Sequence, residues 1–159
     1  MKYLLQRVAW FTGIVLFLFF TQGCVDKTVF DDTKDIENSV WKTEEKLVFE
    51  YTIADSLYLY DFYLKVRHNT NYKYSNLYLF IDTRLPDGQW GRDTVELVLA
   101  DKSGKWLGKG IGRMRDVQVL LKGAVRLPMR GEYRFELEQA MRDEELEGIS
   151  GVGILINKI

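Results

Sequence analysis

The sequence predicts an all-β protein: a single antiparallel β-sandwich, jelly-roll-like, of about eight strands with one short helix, after a cleaved signal peptide. Three observations carry this. Apolar and polar residues alternate at period two through most of the chain beyond Trp41, the mark of half-buried strands. Turn signals such as Pro86-Asp87-Gly88 and Asp101-Lys102-Ser103-Gly104 interrupt these runs at short intervals. Helical patterning is confined to one stretch, so the long crossovers that a parallel sheet requires are missing.

The first element is the segment Met1 to Cys24. Lys2 and Arg7 precede the 13-residue apolar run Val8 to Phe20, and Thr21-Gln22-Gly23-Cys24 follows at once. Charge, apolar core and a small residue at the cleavage point make a secretory signal peptide. The run is short of the roughly 20 residues that a membrane-spanning helix needs. Cys24, the only cysteine, stands where the mature chain would begin, and Gly23 before it is small. This is the pattern of a bacterial lipoprotein signal with acyl chains attached to Cys24. Val25 rather than Asp follows the cysteine, which by the enteric sorting rule favours the outer membrane. Residues 1–23 are thus read as signal peptide, 24–40 as acylated N-terminus and tether, and 41–159 as the β-sandwich domain. Within the tether, Asp31-Asp32 and Lys34-Asp35 are polar, and Val29 and Phe30 are its apolar positions.

The strands follow in order. Leu47 to Ile53 is the first. In Ser56 to Arg67, Tyr58, Tyr60, Phe62, Leu64 and Val66 face one way and Tyr63, Lys65 and Arg67 the other. Asn76 to Thr83 sets Leu77, Leu79 and Ile81 against Tyr78, Phe80 and Asp82. Thr94 to Ala100 leads through a hairpin loop into Lys105-Trp106-Leu107. Val117 to Leu121, Gly131 to Gln139 and Val152 to Asn157 complete the set. Gln139 to Glu147, rich in helix formers, is the one helix.

Composition narrows the function. The chain has 22 basic and 23 acidic residues; losing Lys2 and Arg7 leaves 20 basic ones and a mature net charge near −3. That is not the basic footprint of a nucleic-acid binder. His68 is the only histidine, so a His-rich metal site is impossible and a Ser-His-Asp triad would depend on it alone. Its polar context, His68-Asn69-Thr70-Asn71, reads as a surface residue at a strand end. Asp61, in a strand among aromatics, is the first candidate for a paired-carboxylate site, or else an outward residue beside Lys65 or Arg67. The glycines from Gly104 to Gly112 lack Walker spacing and read instead as a bulge or close backbone packing. No catalytic residue, metal or cofactor is expected.

Aromatics are the enriched class. Tyr72, Tyr74 and Asn76 in the loop between two strands, with Trp90 after a turn, are the candidate contacts for a protein partner or a glycan. A glycan reading requires exposed, coplanar rings among Trp90, Trp106, Tyr72 and Tyr74.

Several segments together resemble a known family. These are Asn71-Tyr72-Lys73-Tyr74-Ser75-Asn76-Leu77-Tyr78-Leu79-Phe80, Asp93 to Ala100 continuing through Gly104-Lys105-Trp106-Leu107-Gly108-Lys109-Gly110, Glu138-Gln139-Ala140-Met141-Arg142, and Gly148-Ile149-Ser150-Gly151-Val152-Gly153. They are similar to the gliding-motility lipoprotein GldH family of the Bacteroidota. The resemblance implies an outer-membrane lipoprotein; of the two faces, the periplasmic one is favoured over the cell surface as an expectation that protease shaving of whole cells would decide. The lipoprotein would assist the gliding machinery and the linked type IX secretion system, without enzymatic activity. Its partners would be the membrane, through the acyl chains on Cys24, and other envelope or gliding-machinery proteins. The alternative is a glycan-binding β-sandwich lipoprotein.

Overall fold

A computed structural model describes residues 27–159; the signal peptide and Cys24 lie outside the described residues. Ten strands and one 3-10 turn are formed among those residues: β1 (Thr28–Asp35), the turn Glu37–Ser39, β2 (Val40–Lys42), β3 (Leu47–Ile53), β4 (Leu59–Asn69), β5 (Asn76–Arg84), β6 (Trp90–Val98), β7 (Met114–Arg126), β8 (Gly131–Gln139), β9 (Glu145–Glu147) and β10 (Ile149–Lys158). All the pairings are antiparallel.

Two four-stranded sheets, ordered β1-β10-β4-β7 and β3-β8-β5-β6, make the sandwich, and β2 and β9 pair separately. Leaving that small pair aside, the eight sandwich strands follow the jelly-roll order, consecutive strands lying in opposite sheets except for the β5–β6 hairpin, and each sheet takes its strands from both halves of the chain. The alternation does what the sequence pattern demands. Tyr60, Phe62, Leu64 and Val66 of β4 point inward and are buried, as are Leu77, Leu79 and Ile81 of β5 and Val152, Ile154 and Ile156 of β10. The sheets meet through contacts such as Phe62 on Phe135, with ring centres 5.9 Å apart, and Phe30 on Tyr51 at 5.2 Å.

Three expectations change. The stretch read as tether is mostly structured: β1 pairs with β10 from Thr28 to Asp35, and Ile36 is buried. Asp31, Thr33 and Asp35 face outward on this edge strand, while Asp32 and Lys34 share the side of Phe30, paired with each other and with Lys34 over the Phe49 ring at 5.6 Å; polar residues on both faces hid a real strand. The expected helix at Gln139 to Glu147 is absent. Gln139 ends β8, and its buried side chain braces a turn, donating to Asp143 O and Thr43 Oγ1 and accepting from the Met141 amide. β9 follows, pairing with β2 and placing Leu146 in the core beside fully buried Trp41. Tertiary satisfaction thus overrides helix propensity. Finally, β7 runs well past the predicted Val117–Leu121, because a bulge at Lys122–Val125 masks its period in sequence. Opposite that bulge Asp61 accepts the Ala124 amide at 2.8 Å, with Ala124 at φ 52°.

Candidate functional site

The strand directions divide the molecule into two ends. β1 enters at Thr28, paired with Asn157. At this proximal end lie the loops after β3, β5 and β7. At the distal end lie the loops after β4, β6 and β8, together with β2 and β9. β10 has ten residues, and at about 3.4 Å per residue it separates the two ends by about 30 Å.

Tyr72, Tyr74 and Asn76 assemble at the distal end. Tyr72 is only 4% exposed, and its hydroxyl donates to Asn76 O at 2.9 Å. Burial pushes its ionisation strongly upward. Tyr74 meets it edge-on, at 5.7 Å and 69°, and the neighbouring Asp143 carboxylate raises the ionisation of its hydroxyl; that carboxyl is itself held below its usual range, first by Lys73 and then by Tyr74. Asn76 Nδ2 donates to Glu96 Oε1 at 2.7 Å. The cluster also recruits His68, which the sequence reading set on the surface, and Trp106, one of the rings named there for a glycan. His68 is wholly buried, with its ring 4.7 Å from that of Trp106 and 6.0 Å from that of Tyr72. Its Nδ1 donates to Asn69 O, while Nε2 has no partner among the described residues, and desolvation lowers its pKa below the ordinary 6.5.

The expectation of a surface histidine was therefore wrong. The inward register of Tyr60, Phe62, Leu64 and Val66 continues to His68, because β4 runs two residues further than predicted. Tyr72 likewise is a core residue and not a contact.

Trp90 lies at the proximal end, opposite Arg84 on the β5–β6 hairpin, and is 71% exposed. It borders a cleft of about 300 Å³ that also involves Asp82, Arg84, Arg134 and Glu136. Three of these neighbours satisfy one another or nearby groups: Asp82 takes both Arg92 contacts, and Arg134 bridges Glu50 and Glu136. The outer face of this sheet is a lattice of exposed ion pairs, each worth little by itself. The four aromatics named for a sugar platform are thus split between the two ends, and the rings that meet, Tyr72 with Tyr74 and Tyr72 with Trp106, are not coplanar.

Other chemistry-bearing groups have structural uses. Asp61 secures the β7 bulge. Within the glycine-rich loop, Gly108 and Gly110 pack closely against backbone, a Cβ on Gly108 standing 2.5 Å from Asp116 O, whereas Gly104 and Gly112 lie in open space. Among the described residues no cluster of three or more His, Cys, Asp or Glu has metal-binding geometry, and no helix is long and apolar enough to cross a membrane.

A family model described as GldH lipoprotein matches residues 28–156. The chain is 34% identical over 152 residues to the gliding motility lipoprotein GldH homolog of Christiangramia forsetii, covering 91% of this chain and 90% of the relative. It is 30% identical over 143 residues to the gliding motility lipoprotein GldH of Flavobacterium johnsoniae, covering 86% and 88%. Among solved structures it is similar to one of infectious bursal disease virus at a TM-score of 0.34, with 11% identity and 83% and 32% coverage. A second is the dimeric latent PorU of Porphyromonas gingivalis at a TM-score of 0.30, with 9% identity and 86% and 14% coverage. Likeness at that level carries no weight for fold or function.

Proposed function

The chain belongs to the GldH lipoprotein family, and from that membership we propose a lipid-anchored accessory component of a gliding-motility or linked type IX secretion machine that works by position and not by catalysis. A relative that covers nearly the same span is named for gliding motility. The observation that carries the reading is the order of parts. A lipoprotein-type signal ends at Gly23-Cys24, and the family match begins four residues later, at Thr28. Acylation of Cys24 would hold the domain to the outer membrane, with the periplasmic face as its working side. A buried acyl chain contributes about 0.8 kcal/mol per CH₂, so two or more chains suffice for stable anchoring.

Support for a non-catalytic role comes from the use of the groups best suited to chemistry. His68 is packed against Trp106, and the Asp61 carboxylate is engaged by the Ala124 amide. Partners are then other envelope or machinery proteins, met by the domain's exposed surfaces. The test is Cys24→Ala with labelled palmitate and membrane fractionation. The expected result is loss of label and release from membranes; unchanged labelling would overturn the reading. Co-purification of the wild type from detergent-solubilised membranes should recover an envelope partner.

A further inference from the structure

We propose that the proximal end of the sandwich is a lipid-contacting face, which seats the domain directly on the bilayer surface that holds Cys24. The inference rests on the acylation of Cys24 proposed above and adds an orientation to it.

The leash sets the first constraint. Four peptide steps separate Cys24 from Thr28, a reach of at most about 14 Å even when fully extended. The Lys27 carbonyl accepts the Lys158 amide, so the leash leaves from the proximal end and keeps that end close to the anchored lipid. The distal end, about 30 Å away along the strands, lies beyond it.

The second observation is what the proximal end displays. Leu57 is 70% exposed in the β3–β4 loop, Tyr58 beside it 40%, and Trp90 71% at the β5–β6 hairpin. None of them is needed to fill the core. Tryptophan and tyrosine with an apolar neighbour are the residues that settle at a membrane–water boundary, rings among the headgroups and polar atoms wet.

Charge is the third. The same end carries Lys27, Arg84, Arg126, Arg130 and Lys158 against Asp55, Asp87 and Glu132, although the mature chain as a whole is acidic. Arg84 and Arg126 meet no carboxylate among the described residues. Arg130 only approaches Asp55, at 3.9 Å, and Lys158 lies over the Tyr58 ring at 3.2 Å. Cations left without partners beside exposed aromatics match an anionic headgroup layer. By contrast, Ile111, 94% exposed, projects at the distal end, where the leash keeps it from the same bilayer.

The test uses the lipidated full-length protein, purified from membranes and bound to vesicles of phosphatidylethanolamine and phosphatidylglycerol containing a doxyl-labelled lipid. An environment-sensitive fluorophore is placed on Ser56→Cys, Gln89→Cys or Ile111→Cys; acylated Cys24 offers no competing thiol. The labels at 56 and 89 are expected to shift to the blue and lose most of their emission, while the label at 111 keeps its own. Added Arg84→Glu and Arg126→Glu substitutions should weaken the quenching at 56. Quenching at 111, equal behaviour at all three sites, or protection of 56 and 89 only when membrane proteins are added would overturn the proposal. Failure of the wild type to float with vesicles is a separate result, and would remove the anchoring and the orientation together.

Discussion

The two ends of this sandwich are built to opposite rules. At the distal end aromatic groups are turned inward: Tyr72 is buried, its hydroxyl is committed to Asn76 O, and His68 and Trp106 close the cluster. At the proximal end Leu57 and Trp90 point out, and Arg84 meets no carboxylate among the described residues. Both ends carry tryptophan and tyrosine, yet Trp106 and Tyr72 pack inward at the distal end, whose exposed apolar residue is Ile111, while Trp90 stands exposed at the proximal end. Aromatic content in sequence therefore marks where packing or recognition occurs, and burial decides which.

The largest effect is expected from truncating the distal cluster. Tyr72→Ala should cost about 3–5 kcal/mol of unfolding free energy, the range for removing a buried aromatic, measured by urea denaturation of the soluble Cys24→Ser protein. A cost below about 1 kcal/mol would mean that the distal cluster is not the packed unit described.

A smaller effect is expected from pH. Buried His68 resists protonation, so below its ordinary value of 6.5 the unfolded chain binds more protons than the folded one. Its contribution to stability is complete above that pH and is lost as pH falls from there toward the lower folded value. Asp82, Glu136 and Asp143, whose carboxyls are held low, lose their contributions only further down, through and below the ordinary carboxylate range. The midpoint of urea unfolding should thus fall between pH 7 and pH 5.5. His68→Gln should flatten the slope in that window; an unchanged slope would contradict the assignment.

The smallest effect belongs to the proximal end. Leu57→Ala and Trp90→Ala should each change stability by no more than about 0.5 kcal/mol, because neither side chain fills the core. A larger loss at Trp90 would make it a structural residue and blur the contrast.

Much of this was legible in the sequence. The inward faces of β4, β5 and β10 followed from period-two alternation, and β3 and β8 have the bounds that the pattern indicated. What escaped depended on partners distant in the chain. β1 is an edge strand whose place is set by β10, more than a hundred residues away. The segment at Gln139 has good helix propensity, but its fate is decided by the Gln139 side chain and by the seat for Leu146 beside Trp41. His68 was misplaced because β4 was ended at Arg67, one step before the inward register reached it. Of the candidate contacts, Trp90 after a turn was readable as exposed. The burial of Tyr72 was not, since its loop is polar on both sides and only the fold turns that ring toward His68.

Lipid is proposed to lie against the proximal end. Hydrogen–deuterium exchange of the lipidated protein on pure lipid vesicles, compared with the soluble Cys24→Ser form, tests it most directly. Slowed exchange in segments 54–58, 85–89 and 127–130, with segment 107–113 unchanged, is the predicted result. Protection of 107–113, or the same exchange in both forms throughout, would contradict it.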